Sequence, residues 1–455
     1  MYLLHSGVNN PLRRLVWFAA LVLFVVSVPP ASQAERCKND RQEYADELPI
    51  IFVHGGSGSG GQFEAQALRF ASNGYPQSLL RVLEYDSSAI EDILPDVFAS
   101  LDVAIDRALE ETGQPQVNLI GHSLGTFVSQ SYLAFPARAA RVAHYVNVDG
   151  RPAAALPGGV PTLALWAGAA REVQGEVVGG TNVTLPDQEH VEVATSAEAF
   201  REMFLFFTGD EPRTTRVVPD KRGRFPVSGR AVIFPQNQGA MGSTVAVWKI
   251  HPYTGRHIGW PVAVYAIDEG GEFGPFWAKR GERYEFALHQ EGAPVHRIYY
   301  EPFVRADHLV RLNTSVVGGG IGAFIERGPE HVALNISRGS EFWGDRGPED
   351  NDVLSVNGVN LVNEVSGPSG FVGAPTALFF FDKNSDGESD LYQQLSPFDT
   401  LGFLSAIDVF IPAAPRGTLA IHTVPRGQND RARTIHIPSW PSSETRITLQ
   451  LSDID

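Results

Sequence analysis

Between Ile120 and Leu124 the chain has little conformational choice. Gly121-His122-Ser123-Leu124-Gly125 fits G-x-S-x-G, and it joins an apolar run ending at Ile120 to a helix-like run beginning near Leu124. A strand that enters a helix through so short a turn leaves its central serine in a strained backbone. The turn closes only if the positions two residues away carry no colliding side chain, a need that glycine meets. So short a pattern also arises by chance, but strand and helix in the right places argue against that reading here.

The surroundings extend the pattern. From Pro49 to Gly209 short apolar runs alternate with helix-like stretches, the signature of a parallel sheet with crossover helices. Strands are predicted at Ile50 to Val53, Leu80 to Tyr85, Val117 to Ile120, Val142 to Val148 and Thr162 to Trp166. Val97, Leu101, Ile105 and Leu109 recur every four residues and place one apolar stripe on the sheet. The last helix is predicted to start at the capping box Thr195-x-x-Glu198 and to end at Phe207, before Gly209. Together with the serine turn, this predicts an α/β-hydrolase fold over 35–209.

Charge and proline then crowd 210–226, a linker, and the helical period disappears. Short β runs with glycine-rich turns fill 227–455 and predict a β-sandwich-like region. Gly318-Gly319-Gly320 offers a break within it, so the region is either one β domain or two modules, 227–315 and 321–455. Asn357-Gly358 between apolar runs predicts a tight hairpin.

Arg13 and Arg14, an apolar run from Leu15 to Val28, and small residues at Ser32 and Ala34 have the layout of an export signal over 1–34. The apolar run is about 14 residues, short of the roughly 20 that span a bilayer, so the mature form is expected to be secreted or periplasmic with no transmembrane segment. Removing those two arginines takes the formal charge from −16 to −18. Phosphate binding needs a basic face, so nucleic acid is not an expected partner. Cys37 is the single cysteine. No internal disulfide can form, and stability must come from core burial.

A serine hydroxyl needs a base within hydrogen-bond reach, and on this fold the base follows in the chain. His190 is the candidate, in the polar loop Asp187-Gln188-Glu189-His190 before the last helix. His122 occupies the variable position of the turn and His144 lies inside a strand, so both are weaker choices. Asp149, at the end of the strand Val142 to Val148, is the expected orienting acid, ahead of Glu172 and Asp187. Two backbone N–H groups should stabilise the oxyanion: that of Leu124 at the helix start, and that of Gly56 in the glycine-rich loop His54-Gly55-Gly56-Ser57-Gly58. That loop lacks the Lys-Ser/Thr of a phosphate loop and the full dinucleotide fingerprint. Such chemistry needs no cofactor.

Asp382, Asn384, Asp386 and Asp390, with Gly387 at the turn, resemble a calcium loop, although Gln393 stands where the bidentate glutamate belongs. A polar β-turn is the competing reading, and calcium here would be structural.

Further residues carry a family resemblance. Phe52-Val53-His54-Gly55, Gly61-Gln62-Phe63-Glu64, Arg69-Phe70-Ala71 to Gly74-Tyr75-Pro76, Glu84-Tyr85-Asp86 and Ala194-Thr195-Ser196 are found in the first half. Pro302-Phe303-Val304-Arg305, Val356-Asn357-Gly358-Val359-Asn360 and Asp386-Gly387 to Asp390 are found in the second. With the serine turn and His190, they make the chain similar to the secreted two-part lipases of the Archaeoglobus long-chain type. The resemblance implies a Ser123, Asp149 and His190 triad, oxyanion donors at Gly56 and Leu124, and a C-terminal β domain that helps with long acyl chains or lipid surfaces. The family type inserts a helical lid after the strand ending Glu84-Tyr85-Asp86, where this chain has only Ser87 to Asp92. A more open site is therefore expected. Short esters and polyesters join triglycerides as candidate substrates, and acyl transfer would use the same residues. A surface- or lipid-binding protein on an inactive hydrolase scaffold is the reading from another class.

Overall fold

The apolar runs of the first third pair as predicted, in a six-stranded sheet whose strands are all parallel. In the computed structural model, which describes residues 47–169, 175–370, 374–428, 431–452 and 454, these are β1 (Ile50–Val53), β2 (Leu80–Leu83), β3 (Val117–His122), β4 (Val142–Val148), β5 (Thr162–Ala167) and β6 (Thr181–Leu185). Their order is β2-β1-β3-β4-β5-β6. The 1–34 signal, Cys37 and Glu172 lie outside the described residues. No helix among the described residues is long and apolar enough to cross a membrane.

Strand β6 was not predicted. Its sequence Thr-Asn-Val-Thr-Leu is polar and largely exposed because it forms the sheet edge, so it lacks the apolar run that marks the other five. The helices are α1 (Glu64–Ser72), α2 (Ile90–Thr112), α3 (Leu124–Leu133), α4 (Pro136–Ala139), α5 (Glu192–Thr195) and α6 (Ala197–Thr208). The stripe of α2 buries Val97, Leu101 and Ile105 against Val117, Leu119 and Tyr132, each fully buried aliphatic side chain contributing about 1.5–3 kcal/mol. The cap of α6 lies one residue beyond the prediction: Ser196, not Thr195, accepts the N–H of Ala199 at 3.1 Å. Thr195 instead closes the single turn of α5, and Gly209 ends α6 in a left-handed conformation, φ 77°.

Beyond the α/β part, a nine-stranded mixed sheet dominates. The last strand, Thr445–Gln450, lies between Val295–Tyr300 and Leu334–Ser337, parallel to both. One sheet therefore runs continuously across the Gly318-Gly319-Gly320 break. On one face Leu334, Ile336, Leu378, Phe380, Ile407, Ile447 and Leu449 pack against a four-stranded sheet that includes Val353–Val356 and Thr418–Val424. On the opposite face Val245, Val247, Phe286 and Ile298 pack against a second small sheet containing Arg224–Ile233 and Asp307–Thr314. The rest of that second face, with Asn335, Ser337, Ala377 and Phe379, lines a cavity shared with the α/β part.

Candidate active site

Four loops leave the carboxyl ends of the parallel strands and meet at one end of the sheet, where open α/β sheets place their ligands. Ser123 follows β3 directly and has φ 52° and ψ −120°. Such a conformation costs of order 1–3 kcal/mol and persists only where the surroundings impose it. Here the imposition is visible. A Cβ on Gly121 would lie 2.6 Å from Gly125 O, and one on Gly125 only 2.2 Å from Val53 O, so neither position tolerates a side chain. The Ser123 N–H donates to Val148 O, and Ser123 O accepts from the Thr126 N–H and hydroxyl.

Asp149 follows β4 directly, is fully buried and adopts φ 38°. Its Oδ1 accepts the Ala167 N–H at 3.0 Å, and its Oδ2 accepts from His190 Nδ1 at 2.6 Å. His190, in the loop between β6 and α5, lines the cavity with Ser123. The rival acid Asp187 is exposed. Leu124 opens α3, so its N–H is among those a helix start leaves without an internal partner. Gly56 lies close by, since a Cβ there would come 3.9 Å from Leu124 Cδ2.

The cavity has a volume of about 450 Å³. Beyond Ser123 and His190 its walls are largely from the β-rich region, including Ile321, Ile325, Phe379, Leu401, Phe403 and Leu404. The Phe403 ring stacks 5.9 Å from that of His190. No lid helix follows β2, as expected; the Leu401–Phe403 turn of the β region lines the cavity beside His190.

Comparison with known proteins fits this architecture. Residues 49–269 match the model of the alpha/beta hydrolase fold, 223–317 that of the Lipase C-terminal domain, and 320–455 a further C-terminal domain model. The chain has the α/β-hydrolase fold, followed by a region that matches a lipase C-terminal domain. No curated protein matches it. Among solved structures, Aspergillus fumigatus lipase B is similar at 13% identity over 38% of this chain, with a TM-score of 0.27. The chain spans 55% of that lipase. Phospholipase PlaB from Legionella pneumophila, in complex with thio-NAD, has 10% identity over 89% of this chain and 93% of its own, TM-score 0.23. Bacillus licheniformis lipase BlEst2, in its propeptide form, has 11% identity over 86% and 93%, TM-score 0.29. None of these likenesses identifies a substrate.

Several residues at this site have no signature in the motif. His122, the variable residue of the turn, accepts from Gln62 Nε2 at 2.7 Å on Nδ1 and donates from Nε2 to the His190 carbonyl at 2.8 Å. It thereby fixes the backbone of the residue expected to act as base. His54 is fully buried and stacks on Tyr85 at 4.2 Å. Burial lowers its pKa, keeping the ring neutral: Nδ1 donates to Gly55 O, and Nε2 faces the Tyr85 N–H. Glu84 accepts the Gly60 N–H on both oxygens at 3.1 Å. Burial works to raise the Glu84 carboxyl, but Arg311, with Arg230, outweighs it and holds it below the usual carboxylate range. Glu84 belongs to the Glu84-Tyr85-Asp86 run that carries the family resemblance, but nothing local points to its partner. Arg311 lies 227 residues further on.

The residues of the expected calcium loop lie near Asp408, whose carboxyl is raised by burial and by the charges of Asp386, Asp382 and Asp390, and they bond to the protein's own groups. Asp382 is buried, with its carboxylate occupied by the N–H groups of Asp386 and Gly387 and facing His331 Nδ1 at 3.3 Å. Asp386 and Asp390 each cap their own turn, accepting from Glu388 and Tyr392, while the Asn384 N–H donates to Glu326. No group of three or more His, Cys, Asp or Glu among the described residues is disposed to hold a metal. The loop is a turn held by its own side chains.

Proposed function

We propose that this protein is an exported carboxylic-ester hydrolase acting on lipid esters through Ser123, His190 and Asp149. The reading rests above all on the 2.6 Å bond from His190 Nδ1 to the buried Asp149 carboxylate, in a cavity that His190 shares with the strained Ser123. That bond leaves Nε2 as the basic nitrogen. Ser123 Oγ attacks the ester carbonyl as its proton passes to His190 Nε2, and the N–H groups of Gly56 and Leu124 receive the developing oxyanion. The imidazolium, stabilised by Asp149, returns the proton to the departing alcohol oxygen. Water then attacks the acyl-serine by the same route and releases the acid.

The aromatic and aliphatic walls supplied by Phe379, Phe403 and Leu404 suit an acyl chain. An ester series from acetate to palmitate, run on the wild type and on Ser123→Ala, tests the reading. Ser123→Ala is expected to lose about 10⁶-fold in kcat on every ester. Equal rates in the two proteins would overturn the mechanism, and a profile falling steadily with chain length would remove the lipid assignment.

A further inference from the structure

The β-rich region touches both loops that the proposed reaction needs, and it does so with side chains that also lie away from the acyl-lining walls. Asn237 sits in the hairpin after Arg224–Ile233, with φ 58° and its side chain buried. Its Nδ2 donates to Gly58 O at 2.8 Å and to Tyr85 O at 3.1 Å, and lies 3.4 Å from His54 Nε2. The loop from His54 to Gly58, which carries Gly56, is therefore tied down from outside the α/β part. Glu341 does the same at the other loop. Its Oε1 accepts the Val191 N–H at 2.5 Å and its Oε2 the Glu192 N–H at 3.0 Å. These are the two residues after His190.

A carboxyl group that takes two consecutive backbone N–H groups, one on each oxygen, fixes the direction of that backbone, not merely its distance. Glu341 is itself anchored, since its carbonyl accepts from both Arg338 and Arg426. Neither Asn237 nor Glu341 is aimed at the reacting atoms.

We infer that the β-rich region is part of the catalytic apparatus: Asn237 positions the loop bearing Gly56, and Glu341 positions the loop bearing His190. The inference rests on the triad and oxyanion reading above. It separates two roles for the region, since binding an acyl chain matters for long esters alone, whereas holding the loops matters for every ester.

The test uses the full-length chain and 4-nitrophenyl butyrate, whose short acyl chain makes little use of the walls. Asn237→Gly keeps a residue at ease with positive φ while deleting the side-chain donor, and E341Q keeps the size while replacing one acceptor by an amide N–H₂. Each is expected to lower kcat by about 10–100-fold, the scale of a misplacement near 1 Å, with KM within about twofold. E341Q should also shift the lower limb of the pH profile of kcat/KM, which reports the base. Asn237→Gly should leave that limb in place and weaken inhibition by a benzeneboronic acid, which mimics the tetrahedral state, by the same factor as kcat/KM. Far-ultraviolet circular dichroism confirms that each variant is folded. A folded variant with wild-type kcat, pH limb and boronate affinity overturns the assignment for the loop it tests. Ser123→Ala, run alongside, keeps the two readings apart: activity surviving there defeats the triad, whereas a dead Ser123→Ala beside fully active Asn237→Gly and E341Q defeats this inference alone.

Discussion

In the α/β half, His54, Glu84, Ser123 and Asp149 each stand immediately after the strand that carries them. In the β-rich half, the polar side chains that bind the loops of the site include Asn237, Arg311 and Glu341, drawn from separate hairpins and strands. A parallel sheet delivers its strand ends to one edge by construction, so adjacency in the chain becomes adjacency at the site. A mixed region built from hairpins and long-range strand pairs has no such edge. Its contribution depends on long-range docking, and each contact stands alone. The difference predicts that damage in the first half strikes chemistry with the fold intact, while damage in the second strikes both.

Asp149→Asn should show the first behaviour most strongly. The amide keeps the shape but no longer requires a proton on His190 Nδ1, so kcat should fall by about 10⁴-fold while the thermal midpoint changes little. Glu172→Gln, measured in parallel, should retain the wild-type rate. The reverse result would move the orienting role to the loop after β5 and break the rule that the site residues directly follow their strands.

Arg311→Met probes the second behaviour. The Arg311 and Glu84 side chains are 5% and 10% exposed, and removing one partner of a buried ion pair typically costs about 3–5 kcal/mol because the other charge is stranded. Here the stranded Glu84 also holds the Gly60 N–H, so denaturant midpoint and activity should fall together. Adding Glu84→Gln to Arg311→Met should restore part of the stability. If Arg311→Met left the midpoint unchanged, the boundary between the halves would be a looser contact than these bonds describe.

The same contrast governs what could be read from the sequence. That Ser123, His190 and Asp149 would lie together was legible because each follows a recognisable strand or precedes a recognisable helix, and local pattern reports local structure. The helix cap was misplaced by one residue because Thr195 and Ser196 are both good caps, and only the Ser196 hydroxyl meets the Ala199 N–H. Asp382 to Asp390 has the composition of a cation loop, yet its carboxylates turn back onto their own backbone. Asn237 and Glu341 look like an ordinary turn residue and an ordinary charge. Nothing within a dozen residues of either shows that it will meet His54 or His190. The insertion of Thr445–Gln450 beside Val295–Tyr300 was equally hidden, because strand pairing at such separation leaves no periodic trace.

Glu341 offers the finest test of the contrast, through pH. Burial raises its carboxyl to about 8, with Glu192 and Glu189 adding to the rise against the lowering by the N–H groups of Val191 and Glu192. The folded protein therefore keeps the Glu341 proton to about pH 8, while the unfolded chain releases it near the ordinary carboxyl value. Folding takes up a proton throughout that window, so this group's contribution to stability is full at acid pH and is lost as pH rises through about 8. E341Q cannot titrate and provides the baseline. The midpoint of the wild type minus that of E341Q should fall by about 2–4 °C between about pH 5 and pH 8.5. Glu189, whose carboxyl burial also raises, is present in both proteins and largely cancels. A difference that stays flat with pH would mean that Glu341 is already ionised when folded. Its hold on the Val191 and Glu192 N–H groups would then be that of a full carboxylate, and the β-rich half would act on the site as independently of pH as the α/β half's own hydrogen bonds.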